Sequence, residues 1–396
     1  QAGSSLFFDK ENPDVIIASP VSGEISEICR GEKRKILSVV VKADAEISYK
    51  EFSKAKAKDV TRAQIIEQML ASGLWPFVRQ RPFAVIANPA DMPKAVFISA
   101  FDSAPLSCDS DFVLHGMEEE FQAGLDIVAK LTDGKTHLNL DGNSNSSSVF
   151  TSAKGVQINN VSGPHPAGNV GVQIHHIDPI NKGEVVWYMY PQDVVAIGRL
   201  FSQGKYDATR LIALAGSQVV KPRYYRTMQG ASITALTEAN IKSGESRYIS
   251  GNVLTGNKIA ADGNLGFYHN EISVISEGKE QEFLGWLLPG LSKFSLSRTF
   301  FSWMNPKKEY PISANMNGEE RAYVVTGQYE SVLPMDVHPQ HLIKSIMIGD
   351  IELMENLGIY EVAEEDLALC EFSCTSKIPV QEILREGLDL VKKECS

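Results

Sequence analysis

Three observations predict a multidomain α/β protein. From residue 60 to about 222, apolar runs of strand length alternate with segments of helical period, which favours a mainly parallel or mixed sheet covered on both faces. Residues 224–276 change to short segments broken by Gly251, Gly256, Gly263 and Gly266, the texture of a small β-rich domain. After residue 280 the period turns helical. The expected division is 1–55 as a strand-and-turn unit, 56–223 as the α/β unit, 224–279 as the β-rich unit and 280–396 as a small helical C-terminal unit.

The first unit is read from Val15-Ile16-Ile17-Ala18, Glu24-Ile25-Ser26-Glu27-Ile28 and Ile36 to Val41, apolar alternations separated by Ser19-Pro20-Val21-Ser22-Gly23. Lys54 to Lys58 reads as a polar linker. Arg62 to Ser72 is an amphipathic helix ending at Gly73. Phe83 to Ala87 and Ala95 to Ser99 are buried-strand candidates. Met117, Phe121, Leu125, Val128 and Leu131 recur at steps of three and four, one apolar helical face that stops at Gly134. Pro191 heads a helix through Val194–Ile197, a position where its missing N–H does no harm. Leu211–Leu214 is the last strand of the α/β unit. Residues 143–148 form a serine-rich loop. Ile272–Ile275 is a strand of the β-rich unit, and helices are expected at Phe283–Leu288, Pro334–Ile348, Ile351–Leu357 and Pro379–Lys392.

Bulk properties narrow the class. Hydrophobic residues at 43% and charged residues at 22% are ordinary for a globular protein. No run of about 18 predominantly apolar residues occurs, so no transmembrane helix is expected. The chain starts at Gln1 without Met and reads as a fragment lacking an N-terminal piece, with no signal peptide. Five cysteines (Cys29, Cys108, Cys370, Cys374 and Cys395) with no C-x-x-C pair fit a reducing cytosol. A net charge of −11 argues against nucleic acid as a partner. Ten bases stand against five acids between Arg30 and Arg62, while eight acids and no base lie between Asp350 and Phe372. These stretches are two solvated faces, or one of them docks on a partner or an anionic membrane surface.

The thirty glycines include no adjacent pair and no G-x-G step. Dinucleotide and flavin loops use closely spaced glycines so that backbone N–H groups can approach a pyrophosphate. A Walker A loop is missing too. The scaffold is of nucleotide type, without its phosphate cradle.

Six blocks carry a family resemblance. Ser19 to Ile25 running into Arg30-Gly31-Glu32-Lys33-Arg34, and Ser162-Gly163-Pro164-His165-Pro166-Ala167-Gly168 leading to Ile174-His175-His176-Ile177-Asp178-Pro179, are two of them. Gln192 to Gly198, Pro306 to Glu309, Leu333 to Asp336, and Glu364-Glu365-Asp366-Leu367-Ala368-Leu369-Cys370 are the others. In this order they resemble the NqrA family, which supplies one subunit of the sodium-translocating NADH:quinone oxidoreductase. The resemblance implies a partial biotinyl/lipoyl-like barrel, a Rossmann-like domain related to the flavin subunit of complex I, a β-grasp (SLBB-like) domain carrying Arg247 to Gly251, and the helical C-terminal domain. It also implies a peripheral position on the cytoplasmic face of the bacterial inner membrane, in contact with the membrane-embedded NqrB subunit. NADH, flavins, iron–sulfur clusters and quinone then belong to the whole complex. Where flavin-binding relatives carry a glycine-dense loop, this chain has Ser72-Gly73-Leu74-Trp75-Pro76-Phe77, so no FMN is expected in that cleft. Cys370 and Cys374 lack the further thiolates an iron–sulfur cluster requires.

No catalytic group and no metal site stand out. His175 and His176, read on a strand, point to opposite faces, so at most one joins a given site. Residues Gly163 to Gly171 form either a structural turn or an anion or quinone head-group site made of turn N–H groups. Phe283 to Leu291, the most apolar run, is either core or a contact for a membrane-embedded partner or quinone tail. The candidate quinone or partner contacts are therefore Gly163, His165, Gly168, His175, Trp286 and Trp303. The alternative reading is a standalone cytosolic flavin-dependent quinone reductase, which needs a flavin site the residues do not supply.

Overall fold

The computed structural model describes residues 1–144, 146–279, 282–285 and 287–395. It opens on an antiparallel pair, Ser5–Phe8 with Ile16–Ala18, followed by a long hairpin of Gly23–Arg30 and Ile36–Ala43. The hairpin turns where Lys33 and Arg34 take positive φ. Its Ile25, Ile28, Ile36 and Leu37 stay exposed.

A helix, Arg62–Ser72, then enters the α/β unit. Thr61 and Gln64 form a reciprocal capping box at its start, and Gly73 ends it in the left-handed region. The six-stranded sheet has the order Val85–Ile86, Arg79–Arg81, Val186–Met189, Ala95–Ser99, Lys135–Asp141, Gln157–Val161. The last four run parallel and the first two antiparallel. Ala95–Ser99 is buried along its whole length, as a central strand covered on both faces must be. The helices Glu118–Val128 and Pro191–Gln203 pack together over the sheet and bury Phe121, Leu125, Val128, Val194, Ile197 and Leu200 in the largest core cluster.

A second sheet has the order Arg223–Met228, Thr209–Ala215, Glu271–Ser276, Ser246–Ser250, Asn257–Ile259. The C-terminal unit is helical: Pro339–Met347, Ile351–Asn356, Ala368–Ser373 and Val380–Cys395 enclose a core of Leu342, Ile343, Leu367, Leu384 and Leu388.

Four sequence expectations need correction. The Leu211–Leu214 strand exists within Thr209–Ala215, but it pairs with Arg223–Met228 and Glu271–Ser276, so it belongs to the second sheet. Of Phe83–Ala87 only Val85–Ile86 is strand, because Phe83 and Ala84 turn the chain with φ of 77° and 50°. His175 and His176 lie in a helix, Val170–Ile177, whose apolar Val170 and Ile174 repeat one turn apart and are buried. The helix expected over Phe283–Leu288 is absent among the described residues. Phe283–Gly285 and Leu287 form turns, Leu284 has a φ of 52°, and Pro289 and Gly290 follow at once; Trp286 lies outside the described residues.

Candidate functional site

In the parallel part of the sheet, chain order and space order diverge. From Ala95–Ser99 the chain moves outward through Lys135–Asp141 and Gln157–Val161, then returns to the other side as Val186–Met189. Neighbouring connections therefore leave the sheet in opposite directions between Ser99 and Met189. A crevice opens outside the carboxyl ends of strands at such a switch point, and open α/β sheets bind ligands there.

The loops at this crevice bring together Asp102, Ser103, His165, Gly168 and Tyr190. Ser103 Oγ accepts the Gly168 N–H at 2.8 Å and lies 3.0 Å from His165 Nδ1. The Ser103 oxygen has a second lone pair, so it either donates to Nδ1 or accepts from it; the other ring nitrogen is Nε2. That nitrogen is enclosed and has no partner among the described residues. Burial lowers the His165 pKa against the pull of Glu365, so the ring is neutral at physiological pH. At Gly168 a Cβ would come within 2.3 Å of the Ser103 backbone nitrogen, so only glycine lets the two loops close. Gly163 has a φ of +154°, and a Cβ there would touch Ala167.

The crevice is filled from the C-terminal unit. Arg81, on the strand beside Val186–Met189, donates to Glu365 at 2.6 Å and to Asp366 at 2.7 Å, and its side chain is wholly buried. Asn169 donates to the Glu365 carbonyl at 2.8 Å. A Cβ on Gly171, in the first turn of Val170–Ile177, would sit 2.3 Å from the Asp366 carboxylate. An acid of the chain itself thus occupies the first turn of the helix that follows the crevice loop.

What remains of the crevice is acidic. Asp102 is exposed by area yet densely surrounded by protein; desolvation and Glu365 push its carboxyl up to about 6, against a hydrogen bond from the Ala104 N–H. Glu271, at the start of the second sheet's strand, is 6% exposed, and burial and Asp102 raise its carboxyl well above the ordinary range. Glu365 is raised by burial and by Asp366, against Arg81. A phosphate placed here would meet the carboxyls of Asp102, Glu271 and Glu365, and the Arg81 fork is already taken up by Glu365 and Asp366. Trp75 is fully buried, stands edge-on to Trp187 with ring centroids 5.4 Å apart and donates to the Ala87 carbonyl.

A separate cavity of about 710 Å³ lies where all four units meet, lined among others by Val15, Arg79, Phe83, Ile86, Tyr268 and Tyr360. Arg79 lies against the rings of Tyr188 and Tyr268, 5.5 and 4.8 Å from their centroids, and donates to the Ala84 carbonyl. It is a charged donor at the wall of a space that Asp9, Glu11, Asp91, Lys182, Glu184 and Lys392 also line.

The other expected contacts lie elsewhere. His175 Nε2 accepts the Asp336 N–H at 3.1 Å, so its Nδ1 carries the proton and donates to Glu361 at 2.7 Å. His176 Nε2 donates to the Pro334 carbonyl at 2.8 Å. Both histidines fasten the C-terminal unit to the α/β unit. Trp303 is half exposed on a short turn, Phe301–Met304, and Trp286 lies outside the described residues. Sequence reading missed Arg79, Arg81, Asp102, Glu271 and the Glu365–Asp366 pair. The Arg-x-Arg step and the Glu-Glu-Asp triplet were the available signals, but nothing local says that residues 284 and 285 positions apart meet. Among the described residues no three His, Cys, Asp or Glu converge to hold a metal ion, and no helix is long and apolar enough to cross a membrane.

The fold and its site define a mixed α/β multidomain protein whose switch-point crevice is filled from within by Glu365 and Asp366. Family models match three parts of the chain: an NqrA N-terminal barrel-sandwich hybrid domain over residues 1–44, an NqrA second alpha/beta domain over 60–206 and an NQRA C-terminal domain over 211–261. Similar curated proteins include the A subunit of the Na(+)-translocating NADH-quinone reductase of Yersinia pestis bv. Antiqua (strain Angola), 41% identical over 99% of this chain and 88% of that protein. The protein of the same name from Pasteurella multocida is 40% identical over the same shares. The chain belongs to this NqrA family. Among solved structures, an NAD+-reducing [NiFe]-hydrogenase in the air-oxidised state aligns over 56% of this chain and 48% of its own, at 15% identity and a TM-score of 0.41.

Proposed function

We propose that the chain is the peripheral NqrA subunit of a Na+-translocating NADH:quinone reductase, seated on the cytoplasmic face of the bacterial inner membrane against the membrane-embedded NqrB subunit. One observation carries this reading: 41% identity to an NqrA protein over 99% of the chain. The α/β unit is read as Rossmann-like and related to the flavin subunit of complex I, with its cofactor function lost. Its crevice holds Asp102, Glu271 and Glu365 where a flavin phosphate would need donors, and Arg81 is already engaged. In this reading NADH, flavins, iron–sulfur clusters and the sodium path belong to other subunits of the complex, which leaves a standalone flavin enzyme without support.

In this reading quinone meets the chain in the four-unit cavity, where the Arg79 guanidinium is available to a quinone carbonyl, and not at His165, whose Nε2 is closed off. Arg79→Gln in the assembled complex then raises the KM for quinone about tenfold with kcat kept, as loss of a charge-assisted hydrogen bond requires. An unchanged KM would remove the cavity from the quinone reading.

The role in the complex is tested by purifying the tagged chain from detergent-solubilised membranes of its source, with mass spectrometry of what co-elutes. Co-elution with hydrophobic subunits and sodium-stimulated NADH:quinone activity is the expected result. Recovery of a lone soluble protein would overturn the role.

A further inference from the structure

The segment from Leu287 to Lys308 stands apart from the rest of the surface. Leu287, Leu288, Leu291, Phe301, Trp303 and Met304 are each more than half exposed, and none belongs to a core cluster of buried residues. The segment still has a definite shape. Phe301 N–H donates to the Pro289 carbonyl, Lys293 N–H to the Gly290 carbonyl and Lys308 Nζ to the Leu291 carbonyl, all at 2.9–3.0 Å. These bonds close the loop on itself and turn its apolar side chains outward. So many large apolar side chains exposed on one short loop mark a contact site.

Its charge says what it contacts. Between Leu287 and Lys308 there are four bases, Lys293, Arg298, Lys307 and Lys308, and no acid, in a chain whose net charge is −11. Lys293 pairs with Glu282, while Arg298 and Lys307 are exposed with no carboxylate in ion-pair range among the described residues. Leucine, phenylalanine and tryptophan mixed with lysine and arginine alone is the composition of a segment resting at the headgroup–acyl boundary of an anionic bilayer. Tryptophan favours that depth. A body with a net charge of −11 is repelled by such a surface except where it presents a patch of opposite sign. The other basic stretch, Arg30 to Arg62, mixes five acids with its ten bases and lacks that separation.

We infer that Leu287–Lys308 is a lipid-contact surface that inserts Leu291, Phe301 and Trp303 into the interface of an anionic bilayer while Arg298 and Lys307 engage lipid phosphates. The contact is with lipid and needs no protein partner, so its failure leaves the role in the reductase complex standing.

The test is partitioning of the full chain onto vesicles of phosphatidylglycerol and phosphatidylcholine, compared with phosphatidylcholine alone. The chain should bind the anionic vesicles at least about tenfold more strongly, and less so at high salt. Arg298→Glu with Lys307→Glu should lower that partitioning about tenfold or more. Phe301→Ser with Trp303→Ser should lower it on anionic vesicles as well, and Trp303→Phe should remove a fluorescence blue shift seen on binding. All these positions are exposed, and circular dichroism of each variant confirms the fold. No preference for anionic vesicles, or equal partitioning of both double variants, would overturn the inference. Binding only to vesicles that carry the hydrophobic subunits would overturn it too, by making the surface a protein interface.

Discussion

Arg81 donates one N–H to Glu365 and another to Asp366, and none of its side chain reaches water. Removing one partner of a buried ion network leaves the others uncompensated. Arg81→Met is therefore expected to lower unfolding free energy in urea by about 3–5 kcal/mol, and adding Asp366→Asn should recover part of that loss. Asp102 behaves differently. Its folded-state value of about 6 lies above the ordinary 3.8, so folding favours its protonated form. Its contribution is fully present below about pH 4 and is lost as pH rises through about 6. Asp102→Asn should accordingly raise stability around pH 7.5 by about 1 kcal/mol, less than the full shift because water screens an exposed carboxyl. The gain should vanish in melts below about pH 4; an equal gain at both values would contradict the assignment.

The helix Val170–Ile177 shows how elements carry the architecture. Its first turn holds Gly171 against the Asp366 carboxylate, and its last turn binds the C-terminal unit through His175 and His176. Gly171→Ala forces that carboxylate aside and should cost about 1–3 kcal/mol by overpacking, with faster proteolysis in the C-terminal unit. Elements set by local signals were legible: the helix Arg62–Ser72 with its terminal glycine, the central strand Ala95–Ser99, and the proline-headed helix Pro191–Gln203. Elements set by distant partners were not. Leu211–Leu214 looks like any buried strand, and only its pairing with Glu271–Ser276 assigns it to the second sheet. His175–His176 was misread although Val170 and Ile174 repeat at helical spacing, because the segment is only 8 residues long. Gly163, His165 and Gly168 lie on one loop because they are near in sequence; the acids that close it come from a segment 196 residues further along the chain, as the Asn169–Glu365 bond shows.

Across the whole molecule, units converge on two places, three of them at the switch-point crevice and all four at the cavity. At one, the switch-point crevice is occupied by the chain's own Glu365 and Asp366; at the other, a cavity of about 710 Å³ stays open. At the first, Arg81 is engaged by Glu365 and Asp366, while Arg81 Nε, Asp366 Oδ1 and His165 Nε2 stay buried with no hydrogen-bond partner among the described residues. The most direct test is the visible spectrum of this chain after the purified reductase is dissociated into its subunits. The account predicts a colourless chain, with the flavin recovered in the other fractions. A chain that carries flavin in one-to-one amount would contradict it.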